Sequence, residues 1–231
     1  FYRFHRCRED LVFWAPYAVD NDSFAAQAAA RAGQRNALRA AFGIPPGAVV
    51  FLFAGKLENK KRPLDLLEAV ARLPADLRGR AHVLVAGDGP LRGGCERLAR
   101  EKQLAVSFAG FLNQSRLPDA YAAADVLVLP SDAGETWGLV VNEAMASGRP
   151  AVVSRAAGCC ADLVVENETG RSYGCGDVAA LAGLLHGYAG DPGRAAREGQ
   201  AASVHVGGFG IETAAAGIAE AVCRVAGGRH A

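Results

Sequence analysis

Four cations crowd into seven consecutive positions, Lys56, Lys60, Lys61 and Arg62, just after the apolar run VVFLFA at 49–54 and the turn residue Gly55. Ammonium and guanidinium groups gathered in one loop suit a multiply charged anion such as a diphosphate. The same cluster also suits a solvated surface loop. A second group lies in LPSDAGETWGLVVNEAMASGRPAV, 129–152. There a polar loop carries Glu135, a helix is expected to begin near Gly138, and Glu143 follows with seven residues between the two carboxylates. A helix start at Gly138, Leu139 and Val140 offers backbone N–H groups and the positive end of the helix dipole. Gly138, without a side chain, would let an anion approach that backbone closely. Carboxylates that accept from hydroxyls, flanking amides that hold phosphate, make chemical sense for a sugar nucleotide. Taken alone, the two glutamates read more simply as a solvated loop residue and a surface helix residue.

Other candidates carry less. GDGP at 87–90 begins like a dinucleotide fingerprint, but Arg92 stands where a third glycine belongs and Gly93 comes one place late. A tight turn at a strand end is the simpler reading. The six cysteines form no C-x-x-C pair, and adjacent Cys159 and Cys160 are poorly placed to bridge each other. The histidines at 5, 82, 186, 205 and 230 have no ligand spacing, so no metal site is expected. Unpaired cysteines point to a reduced, cytoplasmic compartment.

The elements that must position these loops are legible in the hydropathy pattern. Apolar runs at 11–17, 49–54, 82–87, 106–110, 125–130 and 150–154 read as strands buried on both faces. Helix-period segments fall near 24–41, 63–73, 91–102, 116–124, 138–147, 177–189, 191–204 and 209–226. This alternation predicts an α/β fold, a Rossmann-like doubly wound parallel sheet, with ligands beyond the carboxyl ends of the strands. Hydrophobic residues make up 51% of the 231 and charged ones 21%, which excludes disorder as a description of the whole chain. A net charge of +1 argues against a nucleic-acid partner. No apolar window is long enough for a transmembrane segment, and FYRFHRCRED lacks the apolar stretch of a signal peptide.

GKLENKKRPLDLLEA, VAGDGPL, FAGF, YAAADVLVLPS, GETWGLVVNEAMASGRPAV and ENETGRSY occur in the order seen in glycosyltransferase family 4 (group 1), the retaining GT-B enzymes. PYAVDNDSF resembles the segment entering that family's second domain, and the likeness covers residues 11–226. The resemblance implies the C-terminal half of a GT-B fold, which binds a nucleotide-sugar donor, a UDP- or GDP-sugar, without metal or other cofactor. It implies that Lys56, where the family usually has arginine, and Lys61 contact the donor diphosphate. Glu135 would lie near the sugar hydroxyls and Glu143 would hold the ribose. Gly55, Gly138, Leu139 and Val140 would line the donor.

The chain departs from the pattern in two places. Lys56 supplies a point charge instead of a fork. The family's G-G-x-x-E segment is Gly158-Cys159-Cys160-Ala161-Asp162 here, with a shorter acid in the last position. The expected organisation is an interdomain linker over 1–22, a donor-binding domain over 23–208, and a helix over 209–231 returning to an N-terminal acceptor-binding domain absent from this chain. The expected activity is transfer of a sugar to an acceptor hydroxyl of glycan or glycolipid type. The isolated chain is expected to be inactive in transfer, and any membrane association to be peripheral and made through the acceptor. The rivals are a stand-alone sugar-nucleotide-binding module needing a separate acceptor subunit, an NAD-dependent oxidoreductase, and a sugar-nucleotide epimerase.

Overall fold

The apolar runs from 49 onward fold as strands of one parallel sheet, in a computed structural model that describes residues 5–191 and 193–227. These are β1 (Val49–Ala54), β2 (Ala81–Ala86), β3 (Val106–Gly110), β4 (Val126–Leu129) and β5 (Ala151–Ser154). A sixth, β6 (Gly170–Tyr173), completes the order β3-β2-β1-β4-β5-β6. Alternate side chains of β1 enter two separate cores: Val50 and Leu52 on one face, Phe51 and Phe53 on the other. Each such burial stabilises the fold by roughly 1.5–3 kcal/mol.

The helices that cover the faces follow the expected segments with shorter ends. They are α1 (Asn21–Arg31), α2 (Arg35–Ala41), α3 (Pro63–Ala71), α4 (Ala75–Arg78), α5 (Arg92–Glu101), α6 (Leu117–Ala123), α7 (Leu139–Ala146), α8 (Cys160–Leu163), α9 (Val178–Gly190), α10 (Arg194–His205) and α11 (Ile211–Gly227). Helices α1, α2, α6 and α7 pack on the first core, and α3, α5 and α9 on the second. The single helix expected over 24–41 is two, separated by a tight turn over Ala32–Gln34 that contains Gly33. Glycine costs about 1 kcal/mol in a helix interior, so the break falls where continuation is weakest.

Three readings are corrected. The run at 106–110 forms β3 as expected but is not buried on both faces, because it stands at a sheet edge where each of its five residues is only partly covered. Residues 11–17 form no strand: one 3-10 turn, Glu9–Leu11, is followed by extended chain packed along α11. A Cβ at Gly217 of α11 would overlap the carbonyl oxygen of Trp14, so the two backbones touch there. The strand β6, by contrast, sits in a segment with no apolar run. It is an edge strand whose polar residues are partnered, Arg171 by Glu198 at 2.7 Å and Ser172 by Glu166. The expected linker 1–22 begins, and the expected segment 209–231 ends, outside the described residues, as does His230. No helix among the described residues is long and apolar enough to cross a membrane.

His82 on β2 is almost fully buried, with Nε2 2.9 Å from Ser107 Oγ, which donates in turn to the carbonyl of Phe42. Burial, aided by the nearby Arg39 cation, lowers its pKa to about 4. The fold therefore favours neutral histidine. Stability from this site is full above about pH 6.5 and is lost as pH falls towards 4, by at most about 3 kcal/mol. Urea unfolding of the wild type and His82→Gln at pH 7, 5.5 and 4.5 should show a shallower decline in the variant. Identical slopes would assign the acid sensitivity to other groups.

Candidate functional site

The loops that leave the carboxyl ends of β1, β2 and β4 converge, because parallel neighbours end on the same side of a sheet. The β1 and β2 loops lie backbone to backbone. Gly55 N–H donates to the carbonyl of Ala86 at 3.0 Å and Leu57 N–H to that of Asp88 at 2.9 Å. A Cβ at Gly87 would overlap the Gly55 carbonyl oxygen, and Gly89 adopts φ +156° beside Leu57. The GDGP glycines thus serve close packing of two loops, which explains their incomplete match to a dinucleotide fingerprint.

Above these loops lies a cleft of about 470 Å³ lined by Gly55, Lys56, Asp88, Phe111, Leu117 and Val140, among others. Its walls are mostly apolar, with Lys56 and Asp88 as charged groups. Phe111, 80% exposed, is presented at its rim. A bare aromatic face beside an apolar cleft suits a planar ring. Phe111 lies one residue beyond the strand read over 106–110, and its exposure has no signal in the sequence.

The expected residues then divide into groups. Lys61 ends a short 3-10 turn, Asn59–Lys61, and its ammonium pairs with Glu135. The two side chains are only 16% and 11% exposed. Ser131 donates to the same Glu135 oxygen at 3.2 Å. Lys56 and Lys60 instead point towards Glu58, at 3.6 and 3.8 Å, and both are well exposed. Arg62, read as a fourth cation of the anion loop, is engaged elsewhere: it stands just before α3 in a left-handed conformation and pairs with Asp65 at 2.7 Å.

Helix α7 starts as expected at Gly138, whose φ of +109° favours glycine. A Cβ there would also come within 2.6 Å of Leu129 Cδ2. Leu139 and Val140 occupy the first turn, where backbone N–H groups have no partner within the helix. Val140 faces the cleft, and Glu143 lies three residues on along the same helix face. Glu143 is half-buried and accepts from Tyr121 Oη at 2.6 Å. Burial raises the Glu143 pKa, and the Tyr121 hydrogen bond opposes that shift in part. Tyr121 itself is pushed well up by burial and by the adjacent carboxylate.

The Gly158–Asp162 segment supports the Glu135 loop. Gly158 N–H donates to the carbonyl of Glu135 at 3.0 Å, and Cys159 N–H to that of Trp137 at 3.1 Å. A Cβ at Gly158 would overlap the Thr136 carbonyl oxygen, so glycine is required for this approach. Cys159 is buried and its thiol is pushed up to about 12 by burial, so its role is packing rather than chemistry.

The family model described as "Glycosyl transferases group 1" matches residues 34–203. The D-inositol 3-phosphate glycosyltransferase 2 of Catenulispora acidiphila is 38% identical over 221 residues, covering 89% of this chain and 49% of that protein. The D-inositol 3-phosphate glycosyltransferase of Streptomyces coelicolor is 39% identical over 196 residues, covering 80% of this chain and 42% of that protein. Among solved structures, Anabaena Alr3699/HepE in complex with UDP-glucose superposes with a TM-score of 0.72 at 25% identity, over 83% of this chain and 53% of that one. The sucrose-phosphate synthase of Thermosynechococcus elongatus gives a TM-score of 0.70 at 27% identity, over 92% and 50%. The chain thus spans about half the length of the curated relatives it matches.

Proposed function

The chain belongs to the group 1 glycosyl transferases, and on that premise we propose that it is the donor-binding half of a retaining family 4 enzyme using a nucleotide-diphospho-sugar, a UDP-sugar first and a GDP-sugar second. The observation that carries this reading is the position of the Lys61–Glu135 pair and the α7 N-terminus at the carboxyl end of the sheet, beside the apolar cleft that holds Lys56 and Phe111. The base stacks at Phe111, the diphosphate meets Lys61, Lys56 and the amides of Gly138, Leu139 and Val140, and the sugar lies against Glu135. Glu143 accepts from the ribose hydroxyls, with Tyr121 fixing its orientation. Gly55 keeps the β1 loop thin enough for the donor to reach the sheet edge.

In the reaction, the acceptor oxygen bonds to the anomeric carbon on the face from which the diphosphate departs. The bond from that carbon to the phosphate oxygen breaks, and the acceptor proton passes to the departing phosphate. The chain's contribution is to hold the donor and to stabilise charge growing on the leaving group, through fixed cations and backbone amides in place of water or a metal.

The domain assignment belongs to this reading: linker over 1–22, donor domain over 23–208, returning helix over 209–231. Leu11 and Val12 lie exposed beside Ile218 and Val222 of α11, around an apolar groove of about 570 Å³. An acceptor-binding counterpart, covalently attached or separate, covers that face, and transfer requires it. The cytoplasm is the compartment where nucleotide sugars meet reduced cysteines, and membrane contact is peripheral, through the acceptor.

A thermal-shift panel of UDP-, GDP- and ADP-sugars beside NAD tests the reading. A ligand at 100 times its dissociation constant adds about 2.7 kcal/mol of stability. A UDP- or GDP-sugar should raise the melting temperature and NAD should not. Stabilisation by NAD alone would favour the oxidoreductase.

A further inference from the structure

A second cationic cluster lies at the opposite edge of the sheet from the donor cleft. Ala48, Asp125 and Arg149 stand just before β1, β4 and β5, three adjacent strands, and so at the amino ends of the sheet. Strands of four to six residues separate them from the carboxyl-end loops by about 13–20 Å. Helix α2 brings two arginines to this edge. Arg35 donates to Asp125 Oδ1 at 2.6 Å and Arg39 to Asp125 Oδ2 at 2.8 Å. The second oxygen also accepts from Val50 N–H at 2.7 Å, so Asp125 is fully engaged.

Arg149 is left over. Its Nε is buried without an acceptor, and among the described residues its guanidinium forms no ion pair. Ser147 Oγ, two residues earlier at the end of α7, is also buried without a partner. Arg35 and Arg39 both repel Arg149 and only Asp125 attracts it. Burial first, and the two neighbouring arginines after it, bring its pKa down to about 10, with Asp125 opposing the shift. His82, the remaining basic group beside Arg39, stays neutral. Three guanidinium groups therefore face one carboxylate. A buried guanidinium N–H without an acceptor is costly, and Arg149 stands apart in this, because Arg35 has a further acceptor in the carbonyl of Ala124 and Arg39 in those of Ala123 and Ala48.

We propose that Arg149, with Arg35 and Arg39, forms an anion site at the amino edge of the sheet that takes a phosphate group, either free phosphate or a phosphomonoester. The charge matches: a phosphate carries about −1.5 to −2 at pH 7, against a surplus of two positive charges. A single carboxylate would neutralise half of it. The chemistry matches too, since a guanidinium fits two phosphate oxygens at once, and the terminal nitrogens of Arg149, unlike its enclosed Nε, are neither buried nor bonded to a group among the described residues.

Thermal melts of the full chain with inorganic phosphate, glycerol phosphate, or chloride at matched ionic strength test this. The wild type should show a saturable shift with one or both phosphate compounds and none with chloride. A response to inorganic phosphate alone identifies the free ion; a tighter response to glycerol phosphate identifies the monoester. Arg149→Gln should raise the half-saturating concentration about tenfold or more, yet melt at or above the wild type in chloride, because it removes a repelled charge. Lys61→Ala should keep the phosphate response. The proposal is overturned by equal phosphate shifts in wild type and Arg149→Gln, by no shift beyond chloride, by loss of the response in Lys61→Ala, or by an Arg149→Gln that is destabilised in chloride. Should that variant not fold, Arg149→Lys decides: weaker phosphate binding with an unchanged melt in chloride supports the site, and unchanged binding overturns it.

Discussion

Replacing Lys61 by alanine should weaken binding of a nucleoside diphosphate by about 10- to 150-fold, the range that follows from losing one charge-assisted hydrogen bond of roughly 1.5–3 kcal/mol. Lys60→Ala should change it little. The two lysines are adjacent in sequence and opposite in setting. Lys61 is nearly buried against Glu135, where low dielectric strengthens its interaction with an anion, whereas Lys60 is exposed near Glu58 and its charge is screened by water. Lys61→Ala also leaves the Glu135 carboxylate with Ser131 as its remaining side-chain donor, at 3.2 Å, so the variant should lose stability as well. Adding Glu135→Gln removes that unpaired charge. The double variant should therefore regain much of the lost melting temperature without regaining affinity for the diphosphate. Calorimetric titration with UDP, beside thermal melts of the three variants, separates the two effects. Equal and small losses of affinity for Lys60→Ala and Lys61→Ala would remove Lys61 from the diphosphate site.

What the sequence could and could not disclose follows from the range of the interactions. Continuous apolar runs such as VVFLFA are local signals of a strand covered on both faces, and β1, β2, β4 and β5 lie where those runs are. The strand β6 carries no such signal, because GRSY is held at the edge by pairing with β5 and by polar partners far away in the chain. The run at 11–17 misled for the reverse reason. Its apolar residues serve a surface packed along α11, and no strand pairs with them. At the candidate site, the loop-to-helix transition at Gly138 was local and legible. The Lys61–Glu135 pair spans 74 residues and the Tyr121–Glu143 hydrogen bond 22, and spacing does not encode either contact. Arg62 shows the limit of counting charges. Its place in a cationic run suggested anion binding, but its left-handed backbone at the start of α3 and the carboxylate three residues on engage it in an ion pair instead.

Glu143→Gln and Glu135→Gln should separate the two halves of the donor. If Glu143 holds the ribose, Glu143→Gln should weaken UDP and a UDP-sugar alike, by about 5- to 30-fold, since the amide keeps one acceptor oxygen and loses the charge. Glu135→Gln should leave UDP nearly unchanged and weaken the sugar-bearing donor alone. Stability gives an independent check. The Glu143 pKa is raised in the folded protein, chiefly by burial. A carboxyl raised in this way favours folding while protonated, and that contribution is lost as pH rises through the folded value. Glutamine is neutral at every pH and its side-chain oxygen can still accept from Tyr121. Glu143→Gln should thus melt at or above the wild type at pH 7, and the difference should close as the wild-type carboxyl becomes protonated on acidification. Weaker nucleotide binding in a protein that is no less stable is the signature of a binding group retained against its own burial cost. The same affinity pattern for both variants, or a Glu143→Gln that loses stability at pH 7 in step with its affinity, would make Glu143 a structural partner of Tyr121 and leave the ribose to other groups.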